Sequence, residues 1–488
     1  MSQIHHTQLL DLAGYPLEDI PHSAVYSHLE TDSRKVDGDA VFFALPGVAS
    51  NGWDHLDQVV ALGCKVAVVP EYLHLQRNDI ELLSVADPAR LLVVCLHAYF
   101  GRMPKKMVAV TGTNGKSSIC FYVAQLAQFV GFKSGLVGTF GVGPLDKLSE
   151  SKQTTPDLLS MHLILMAMAD SGVDFVAFEA SSHALDQGRL EGVPFQTAVF
   201  SNLSRDHLDY HGDMNSYALA KQRLFSFPSV THSVFCLDDA YAGFMAESAV
   251  DSRHYYYSEQ NSKADFYVKQ LALESAGCRF VLCHPDGEVP VFLPLLGRFN
   301  VQNALAALAS LWAYVDDKQR LIAGLSCLSG APGRMEKVHL PHSPLVVVDY
   351  AHTPDALAVA LQALKAHSSS RLICVFGCGG DRDRGKRPLM MAAAMQNADC
   401  VWLTSDNPRT ESIEQIFSDI LAQTNQGEAF SFEPDRRVAI RQAILSAGPN
   451  DVVLIAGKGH ETYQDIEGIK HHFDDKEEAL KAVEAYVN

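Results

Sequence analysis

Short apolar runs alternate with amphipathic segments over most of the chain, most clearly in its last third. There, continuous apolar runs are separated by segments whose apolar residues recur at helical spacing. The runs are 345–349, 372–376, 400–404 and 452–455, and the helical segments are 356–366, 388–396, 413–423 and 436–446. Strands that are apolar throughout and alternate with helices predict a doubly wound parallel sheet with helices on both faces.

The middle of the chain begins with the same order of elements. After the basic turn 102–106, the apolar run 107–111 precedes a glycine-rich loop and the amphipathic segment 119–130. The other strand candidates outside the last third are 40–45, 66–69, 175–178, 197–200 and 233–236, and a further helix candidate is 215–225. The segment 330–334, with two glycines and a proline, marks a second boundary. We therefore predict an α/β fold of three domains, spanning residues 1–105, 106–333 and 334–488.

Composition and charge exclude several classes of protein. The 488 residues are 47% hydrophobic and 20% charged, which is typical of a folded chain. The 39 lysines and arginines against 57 aspartates and glutamates give a net charge of −18, which argues against a general nucleic-acid or anionic-membrane surface. No apolar run approaches about 18 residues and the first residues lack the order of a signal peptide, so we predict no membrane insertion. The ten cysteines, without any C-x-x-C pair, indicate reduced thiols of a cytoplasmic protein.

The glycine-rich loop has the features of a phosphate-binding loop. Its glycines allow backbone N–H groups to converge on phosphate oxygens, and the following helix N-terminus adds positive potential. A lysine would contact the outer phosphates, and a serine hydroxyl would contact magnesium. The residues concerned are Gly112, Thr113, Asn114, Gly115, Lys116, Ser117 and Ser118. The spacing is shorter than the usual G-x-x-x-x-G-K-[ST], and a glycine turn capped by serine is the alternative interpretation. We predict that the loop forms an ATP site in a P-loop, ATPase-like central domain.

At this loop, the sequence T-G-T-N-G-K-S resembles the characteristic motif of the Mur ligase family and its folylpolyglutamate synthetase relatives. Mur ligases are ATP-dependent enzymes that form amide bonds in peptidoglycan precursor synthesis. Further matches are spread along the whole chain. The resemblance implies an N-terminal UDP-binding domain, the central ATP-binding domain and a C-terminal Rossmann-like domain that binds the incoming amino acid. It also implies ATP as co-substrate and Mg²⁺ as cofactor, and we expect a monomer.

Three polar residues of the central domain are candidates for the chemistry of phosphate transfer. Glu179 and His207 follow successive strand candidates, and Lys221 lies in a predicted helix. A carboxylate suits Mg²⁺; from the residues alone, however, Glu179 could be a capping or surface carboxylate, His207 a hydrogen-bonded loop histidine and Lys221 a solvated lysine. The resemblance implies that Glu179 and His207 bind magnesium and that carbamylated Lys221 binds a second ion. Lys116 completes the implied catalytic set, and Ser117 the implied metal ligands.

The resemblance implies three more contacts to the nucleotide. Asn300, within the segment 296–307, matches the position that contacts adenine, although an asparagine-capped helix would explain the same segment. Arg334, at the second boundary, and Asp349, at the end of a strand, match residues that reach the nucleotide from the last domain. A guanidinium suits a phosphate, and a carboxylate suits ribose hydroxyls. Because both residues lie across a domain boundary, we expect domain closure to assemble the site.

The N-terminal domain carries a weaker signal. From the residues alone, 31–44 is a turn followed by a buried strand, but T-D-S-R and G-D-A-V-F-F-A together are similar to the UDP-binding segment of the family. The implied contacts to UDP are Thr31, Ser33, Val48, Ala49 and Ser50. The implied contacts to the muramoyl dipeptide are Gln153, Thr154, Thr155, Ser181, Gln187 and Arg189. Gln153 stands where some relatives have asparagine.

The most discriminating motif is the tetrapeptide D-N-P-R that follows the strand candidate 400–404. It resembles the signature of the Mur ligase branch that adds meso-2,6-diaminopimelate, which differs from lysine by a second carboxylate. Arg409 can pair with that carboxylate through two hydrogen bonds. The implied amino-acid pocket consists of Arg382, Asp406, Asn407, Pro408, Arg409, Gly457 and Glu461. Without the resemblance, its three segments are a solvated basic loop, a proline turn and a strand-end turn.

The resemblance therefore implies an ATP-dependent ligase that joins meso-2,6-diaminopimelate to UDP-N-acetylmuramoyl-L-alanyl-D-glutamate through an acyl phosphate. Within this class, the D-N-P-R motif disfavours the L-lysine-adding branch, and the UDP-binding segment disfavours folylpolyglutamate synthesis. Outside it, the alternatives are a P-loop ATPase without ligase activity and a catalytically inactive binding protein. Retention of all four implied catalytic residues disfavours the inactive protein.

Overall fold

The computed structural model describes residues 3–15, 24–48, 50–151, 153–368, 370–422 and 430–487. Three main sheets of four, ten and six strands follow one another along the chain, each packed with helices. The predicted α/β class, with a parallel-sheet central unit and a C-terminal doubly wound unit, is confirmed. Among the described residues, no helix is long and apolar enough to cross a membrane.

The N-terminal unit is built on a small parallel sheet. Its elements are β1 (Ile4–His5), α1 (His6–Leu12), β2 (Val25–Tyr26), β3 (His28–Glu30), β4 (Ala40–Phe43), α2 (Leu56–Ala61), β5 (Val66–Pro70), β6 (Glu81–Val85) and α3 (Pro88–Tyr99). The strand order is β3-β4-β5-β6, with every neighbouring pair parallel. Because β4 and β5 are buried along their whole length, they form the centre of this sheet.

The central unit contains the largest sheet. Its strands are β7 (Lys106–Thr111), β8 (Ser134–Gly138), β9 (Gly141–Pro144), β10 (Phe175–Glu179), β11 (Thr197–Phe200), β12 (His232–Cys236), β13 (Arg253–Ser258), β14 (Phe266–Glu274), β15 (Gly277–His284) and β16 (Gly287–Leu293). Its helices are α4 (Lys116–Phe129), α5 (Leu158–Asp170), α6 (Ser182–Asp186), α7 (Leu208–His211), α8 (Met214–Gln222), α9 (Ala242–Ala246), α10 (Arg298–Leu311) and α11 (Lys318–Ala323). The strand order is β16-β15-β14-β13-β12-β11-β7-β10-β8-β9, which places β7 between β10 and β11.

Apolar side chains cover both faces of the central sheet. On one face, Val110 of β7 packs in a cluster with Tyr122 of α4 and Leu308 of α10. On the other, Phe178 of β10 packs with Met161 of α5. Since β7, β10 and β11 run parallel, their carboxyl ends meet at one edge, which is where ligands bind in sheets of this kind.

The C-terminal unit has a six-stranded sheet in the order β17-β18-β22-β19-β20-β21. Its strands are β17 (Glu336–Val338), β18 (Leu345–Asp349), β19 (Leu372–Phe376), β20 (Cys400–Leu403), β21 (Ser431–Phe432), β22 (Val452–Ala456), β23 (Tyr463–Ile466) and β24 (Ile469–His472). Its helices are α12 (Pro354–Lys365), α13 (Lys386–Asn397), α14 (Ile413–Leu421), α15 (Arg436–Leu445) and α16 (Asp475–Val487). Strands β23 and β24 form a separate antiparallel hairpin.

The predicted strands and helices agree with the observed elements except at some ends. The helix predicted over 215–225 ends at Gln222 and continues as a 3₁₀ turn, Arg223–Ser226. Residue 423, the predicted end of a helix, lies outside the described residues. The sequence did not predict β14–β16, because these antiparallel strands alternate buried and exposed positions and lack continuous apolar runs.

Candidate active site

The phosphate loop joins β7 to α4 at the carboxyl edge of the central sheet. Gly112 and Gly115 have φ angles of +148° and +86°, which favour glycine. The Lys116 ammonium folds back onto the loop and donates to the carbonyl oxygens of Gly112 (3.0 Å) and Thr113 (2.9 Å). Burial lowers the pKa of Lys116, and the carboxylate of Glu179 opposes that shift. The backbone of the loop therefore binds the ammonium group of its own lysine.

The segment that follows β11 braces this loop. The backbone N–H groups of Thr113 and Asn114 donate to the backbone oxygen (2.8 Å) and to Oδ1 (2.9 Å) of Asn202. Ser201 Oγ donates to the backbone oxygen of Asn114 at 2.6 Å. A Cβ atom on Gly112 would collide with this serine hydroxyl, so the close approach needs glycine. Ser201 and Asn202 belong to no assigned motif, although their position after a strand next to β7 indicates a role at this edge.

Glu179 and Ser117 meet at the same edge. Glu179 ends β10, which pairs with β7, and its carboxylate is therefore carried next to the start of α4. The hydroxyl of Ser117 donates to Glu179 Oε2 at 2.9 Å, and the backbone N–H of Thr139 donates to Oε1 at 2.6 Å. Glu179 is 1% exposed, and Gly138 leaves the space that its carboxylate occupies. Two of the implied metal ligands thus lie together.

Lys221 and His207 approach the loop from the segment that contains α7 and α8. Lys221 is 1% exposed and donates to the backbone oxygen of Gly112 at 2.8 Å. Burial lowers the pKa of Lys221 well below its usual value, and the charge of Lys116 lowers it further. The His207 side chain is 47% exposed, and its ring lies 6.1 Å from that of Tyr217, which also contacts the Lys221 ammonium. Lys221 is therefore not the solvated lysine that its helix alone would suggest.

The oxygen ligands at this edge of the sheet fit a magnesium ion that is also bound by a nucleotide. Among the residues that the structure describes, no group of three or more His, Cys, Asp or Glu side chains is arranged to hold a metal ion. Ser117 and Glu179 offer hard oxygen atoms. Mg²⁺ is commonly bound by one or two carboxylates together with substrate phosphates and water. The fit therefore depends on phosphate oxygens as further ligands.

Asn300 lies inside the first turn of α10 and does not cap it. It is 2% exposed, and its Oδ1 accepts hydrogen bonds from the Tyr122 hydroxyl (3.0 Å) and from Asn303 Nδ2 (3.2 Å). Its Nδ2 donates to the backbone oxygen of Leu296 at 2.7 Å. Asn303 Oδ1 lies against Gly115 of the phosphate loop. The structure therefore places Asn303, which the sequence analysis did not single out, nearer the nucleotide loop than Asn300.

Arg334 and Asp349 lie together at the turn into the C-terminal unit. Asp349 ends β18, and its carboxylate accepts the backbone N–H groups of Met335 (2.8 Å) and Ala351 (2.9 Å). Burial raises the pKa of Asp349, and the positive charge of Arg334 opposes that shift. The Arg334 guanidinium lies 4.8 Å from the ring centre of Tyr350. One cation and one carboxylate are thus presented at this turn.

A groove of about 970 Å³ separates the N-terminal unit from the central unit. The sequence-predicted residues in its lining are Thr31, Ser33, Val48, Ser50, Gln187 and Arg189. Ala49 lies outside the described residues. The guanidinium of Arg189 donates to Gln187 Oε1, to Gln153 Oε1 and to the backbone oxygen of Thr155. One arginine therefore connects most of the residues implied to hold the muramoyl dipeptide.

Other polar groups extend this network. Thr155 Oγ1 donates to Ser181 Oγ at 3.2 Å, and Thr154 Oγ1 accepts from Thr139 Oγ1 at 3.4 Å. Gln187 Nε2 donates to the hydroxyl of Tyr210 at 3.0 Å. Tyr210, His55 and Gln58 also line the groove, but they belong to no motif and were not predicted from sequence.

The D-N-P-R tetrapeptide follows β20 and presents Arg409 beside a glycine loop. Arg409 has a φ angle of +52°, and its Nη1 donates to the backbone oxygen of Gly380 at 2.6 Å. A Cβ atom on Gly379 would lie 2.9 Å from Arg409 Nη1 and 3.8 Å from Arg382 Cγ. The Arg409 guanidinium and the stem of Arg382 therefore lie beside one glycine, and a side chain there would contact both.

The other pocket residues come from the loops after β20 and β22. Asn407 Nδ2 donates to Glu461 Oε2 at 2.8 Å, and the Asn407 N–H donates to Asp406 Oδ1 at 2.7 Å. Gly457 has a φ angle of +117°, and a Cβ atom there would press against Asp406 Oδ2. The backbone oxygen of Pro408 packs against Gly380. All seven residues of the implied amino-acid pocket therefore converge from three neighbouring loops.

Comparison with known proteins decides the family. The Mur ligase middle domain family matches residues 110–311, and the Mur ligase glutamate ligase domain family matches residues 333–459. The chain belongs to the Mur ligase family. This Mur ligase is 43% identical over 462 residues to the UDP-N-acetylmuramoyl-L-alanyl-D-glutamate--2,6-diaminopimelate ligase of Pseudomonas aeruginosa, which covers 94% of this chain and 95% of that protein. The protein of the same name from Xanthomonas oryzae pv. oryzae is 42% identical over 474 residues, with 95% of each chain covered.

Solved structures show the same relationship. A structure of UDP-N-acetylmuramoyl-L-alanyl-D-glutamate--2,6-diaminopimelate ligase matches this Mur ligase with a TM-score of 0.75 and 39% identity, covering 98% of this chain and 99% of that one. A UDP-N-acetylmuramoylalanyl-D-glutamyl-2,6-diaminopimelate--D-alanyl-D-alanyl ligase from Acinetobacter baumannii matches with a TM-score of 0.62 and 20% identity, covering 94% and 96%. The second likeness concerns the fold alone.

Proposed function

We propose that this Mur ligase joins meso-2,6-diaminopimelate to the D-glutamate γ-carboxylate of UDP-N-acetylmuramoyl-L-alanyl-D-glutamate, using ATP. The observation that carries the proposal is the pocket around the D-N-P-R tetrapeptide, where Arg409 and Arg382 flank Gly379 and Glu461 lies one loop away. Two cations suit the carboxylate at the far end of diaminopimelate, which lysine lacks. Relatives that bear this name match nearly the full chain, which supports the same assignment.

The groove between the first two units supports a nucleotide-sugar peptide as the acceptor. Its polar lining from the N-terminal unit suits the UDP moiety. Arg189, which Gln187 and the backbone of Thr155 hold in place, suits a carboxylate of the dipeptide. Burial lowers the pKa of Arg189 but leaves a group that stays protonated near neutral pH. The groove would thus direct the peptide end toward the phosphate loop.

In the first step, a γ-carboxylate oxygen of D-glutamate attacks the γ-phosphorus of ATP. The bond to the bridging oxygen breaks, and the products are an acyl phosphate and ADP. Two anions must approach each other, so catalysis depends on positioning and charge neutralisation more than on covalent help. We assign Lys116 to the outer phosphates, Arg334 to phosphate and Asp349 to the ribose. We assign Asn300 to adenine, as the resemblance implies; Asn303, which donates to Asn300 Oδ1, lies beside the phosphate loop at Gly115.

Magnesium, when bound, would neutralise phosphate charge in this step. Ser117, Glu179 and His207 are the residues that would hold it. Burial keeps part of the Lys221 population as the neutral amine, which can add to carbon dioxide and release one proton. The resulting carbamate replaces a cation by a carboxylate and would hold a second ion.

In the second step, a neutral amine of diaminopimelate attacks the acyl carbonyl carbon. The tetrahedral intermediate then expels phosphate, and the amine loses its proton as the amide forms. Glu461 and the Gly457 backbone suit the ammonium of the amino-acid end, and Asp406 and Asn407 support them. None of these steps requires a side-chain nucleophile.

The proposal is tested by phosphate release with magnesium-ATP and UDP-N-acetylmuramoyl-L-alanyl-D-glutamate. Three parallel reactions contain meso-diaminopimelate, L-lysine or no amino acid, and mass spectrometry identifies the peptide product. Release and tripeptide formation with diaminopimelate alone are expected. Activity with lysine instead would overturn the pocket assignment. Release that is independent of the muramoyl substrate would indicate an ATPase.

Three further properties belong to the proposal. The domains divide at residues 105/106 and 333/334, between α3 and β7 and within the turn before β17. The enzyme works in the cytoplasm, where ATP and the UDP-linked precursor are available. It acts as a monomer, which light scattering of the substrate-bound enzyme would test.

A further inference from the structure

The D-N-P-R tetrapeptide is held by a β-hairpin whose residues have no predicted role in the site. The hairpin consists of β23 and β24, residues 463–472. The N–H of Arg409 donates to the backbone oxygen of Asp465 at 2.9 Å, and the N–H of Glu467 donates to the backbone oxygen of Arg409 at 2.7 Å. Arg409 therefore pairs with the hairpin like a short additional strand, and these bonds hold it at its positive φ angle.

A buried lysine connects this hairpin to the pocket. The Lys458 side chain is 0% exposed. Its ammonium donates to Asn407 Oδ1 at 3.0 Å, to Glu461 Oε2 at 3.3 Å and to the backbone oxygen of Tyr463 at 2.5 Å. Three acceptors satisfy the three N–H donors of an ammonium. One charge is thus shared between two pocket side chains and the first strand of the hairpin.

These bonds determine which atoms remain for a ligand. Asn407 Oδ1 also accepts the N–H of Asp465 at 3.0 Å, so the orientation of its carboxamide is fixed. Asn407 Nδ2 and Lys458 both donate to Glu461 Oε2. Within the described part of the chain, neither donates to Oε1, which can therefore accept an ammonium group. Gln464 Nε2 adds bonds to the Asp406 backbone oxygen (2.7 Å) and Ser405 Oγ (3.1 Å).

We propose that Lys458 is a positioning residue for the incoming amino acid, acting with Gln464 and the hairpin 463–472 to fix Asn407, Glu461 and Arg409. The inference rests on the proposed function, because it assigns the support of the same pocket. The Lys458 ammonium uses all three of its donors within the protein, so its role is to hold other residues. It sets the distance between the carboxylate that binds the ammonium and the arginine that binds the far carboxylate. Discrimination between two amino acids that differ at one end depends on that distance.

The test compares Lys458→Met and Gln464→Ala with the control Val359→Ala. Methionine keeps most of the lysine stem but removes all three bonds, and we expect KM for diaminopimelate to rise about 10- to 100-fold. Gln464→Ala removes two neutral bonds, and we expect a rise of about 2- to 10-fold. Val359 is 55% exposed on α12, outside the hairpin and the pocket, so its truncation should leave KM for diaminopimelate unchanged. KM for ATP and for the muramoyl substrate should not change in any variant.

The outcomes separate this inference from the proposed function. If the unaltered enzyme forms no product with diaminopimelate, the proposed function fails first. If it forms the product but both variants keep its KM for diaminopimelate, the positioning role is wrong and the function stands. Equal rises in all three KM values would indicate general damage and would also overturn the role. If Lys458→Met does not fold, Gln464→Ala decides alone, since its side chain is only partly buried.

Discussion

Replacing Arg409 by lysine should reduce the use of diaminopimelate and leave ATP binding intact. In the structure, Arg409 Nη1 donates to the backbone oxygen of Gly380 at 2.6 Å. Its other guanidinium N–H groups form no hydrogen bond with the described residues, so they can bind a carboxylate. A lysine retains the charge and the Cβ atom at the same positive φ angle, but it cannot form the paired hydrogen bonds. One lost charge-assisted hydrogen bond costs about 1.5–3 kcal/mol, or roughly 10- to 150-fold in kcat/KM.

The assay measures kcat/KM for meso-diaminopimelate and for L-lysine, with KM for ATP determined in parallel. Arg437→Lys is the matched control, because Arg437 lies in the same unit, its side chain is 59% exposed and it pairs with Glu478 at 3.0 Å. The control should keep kcat/KM for both amino acids and KM for ATP unchanged. If Arg409→Lys kept the diaminopimelate-to-lysine ratio of the unaltered enzyme, Arg409 would not be the selective residue. A rise of similar size in KM for ATP would instead indicate disruption of the whole C-terminal unit.

Three further predictions follow from charged side chains elsewhere. We propose that Lys221 is carbamylated, so removing dissolved carbon dioxide should lower kcat and added bicarbonate should restore it. Acidification should also lower kcat, because it favours the protonated amine of Lys221, and a rate that is independent of carbon dioxide would contradict the role. Arg436→Met should cost about 3–5 kcal/mol in urea unfolding, because its carboxylate partner is also 0% exposed, whereas exposed Arg437→Met should cost at most about 1 kcal/mol. Arg34→Gln should raise the pKa of Asp32 from about 2 toward 3.8 in an NMR titration. The stabilisation from this ion pair is present at neutral pH and is lost as the pH falls toward 2. An unchanged pKa of Asp32 in the variant would refute the role of Arg34.

The parts of the site that are local in sequence could be predicted from sequence. Residues 111–118 lie in one strand–loop–helix unit, so glycine spacing and the flanking periodicity were sufficient. The position of Glu179 could also be predicted, because parallel strands bring their carboxyl ends to one edge of the sheet and Ser117 lies at the same edge. Propensity and periodicity gave these elements directly, since their strands are apolar throughout.

The rest depends on packing between segments that are distant in sequence. From its helix alone, Lys221 looks solvated, and only the docking of α8 on the phosphate loop buries it. Lys458 reaches Asn407 across 51 positions, and no periodicity indicates a buried lysine with three acceptors. Asn300 and Asn303 lie three residues apart on α10, and only the structure shows which one faces Gly115. Such contacts carry no local signal.

The phosphate loop also explains why one of the two lysines that donate to it suits modification and the other suits phosphate. Lys116 and Lys221 both donate to the backbone oxygen of Gly112, at 3.0 and 2.8 Å. Two ammonium groups on one carbonyl repel each other, and burial disfavours the charged form of both. Asp206 supports the charged form of both lysines, but Glu179 supports only that of Lys116, which favours Lys221 as the one that loses its proton. A neutral amine can react with carbon dioxide, whereas the remaining cation can bind phosphate. The shared carbonyl therefore couples the two roles before any ligand binds.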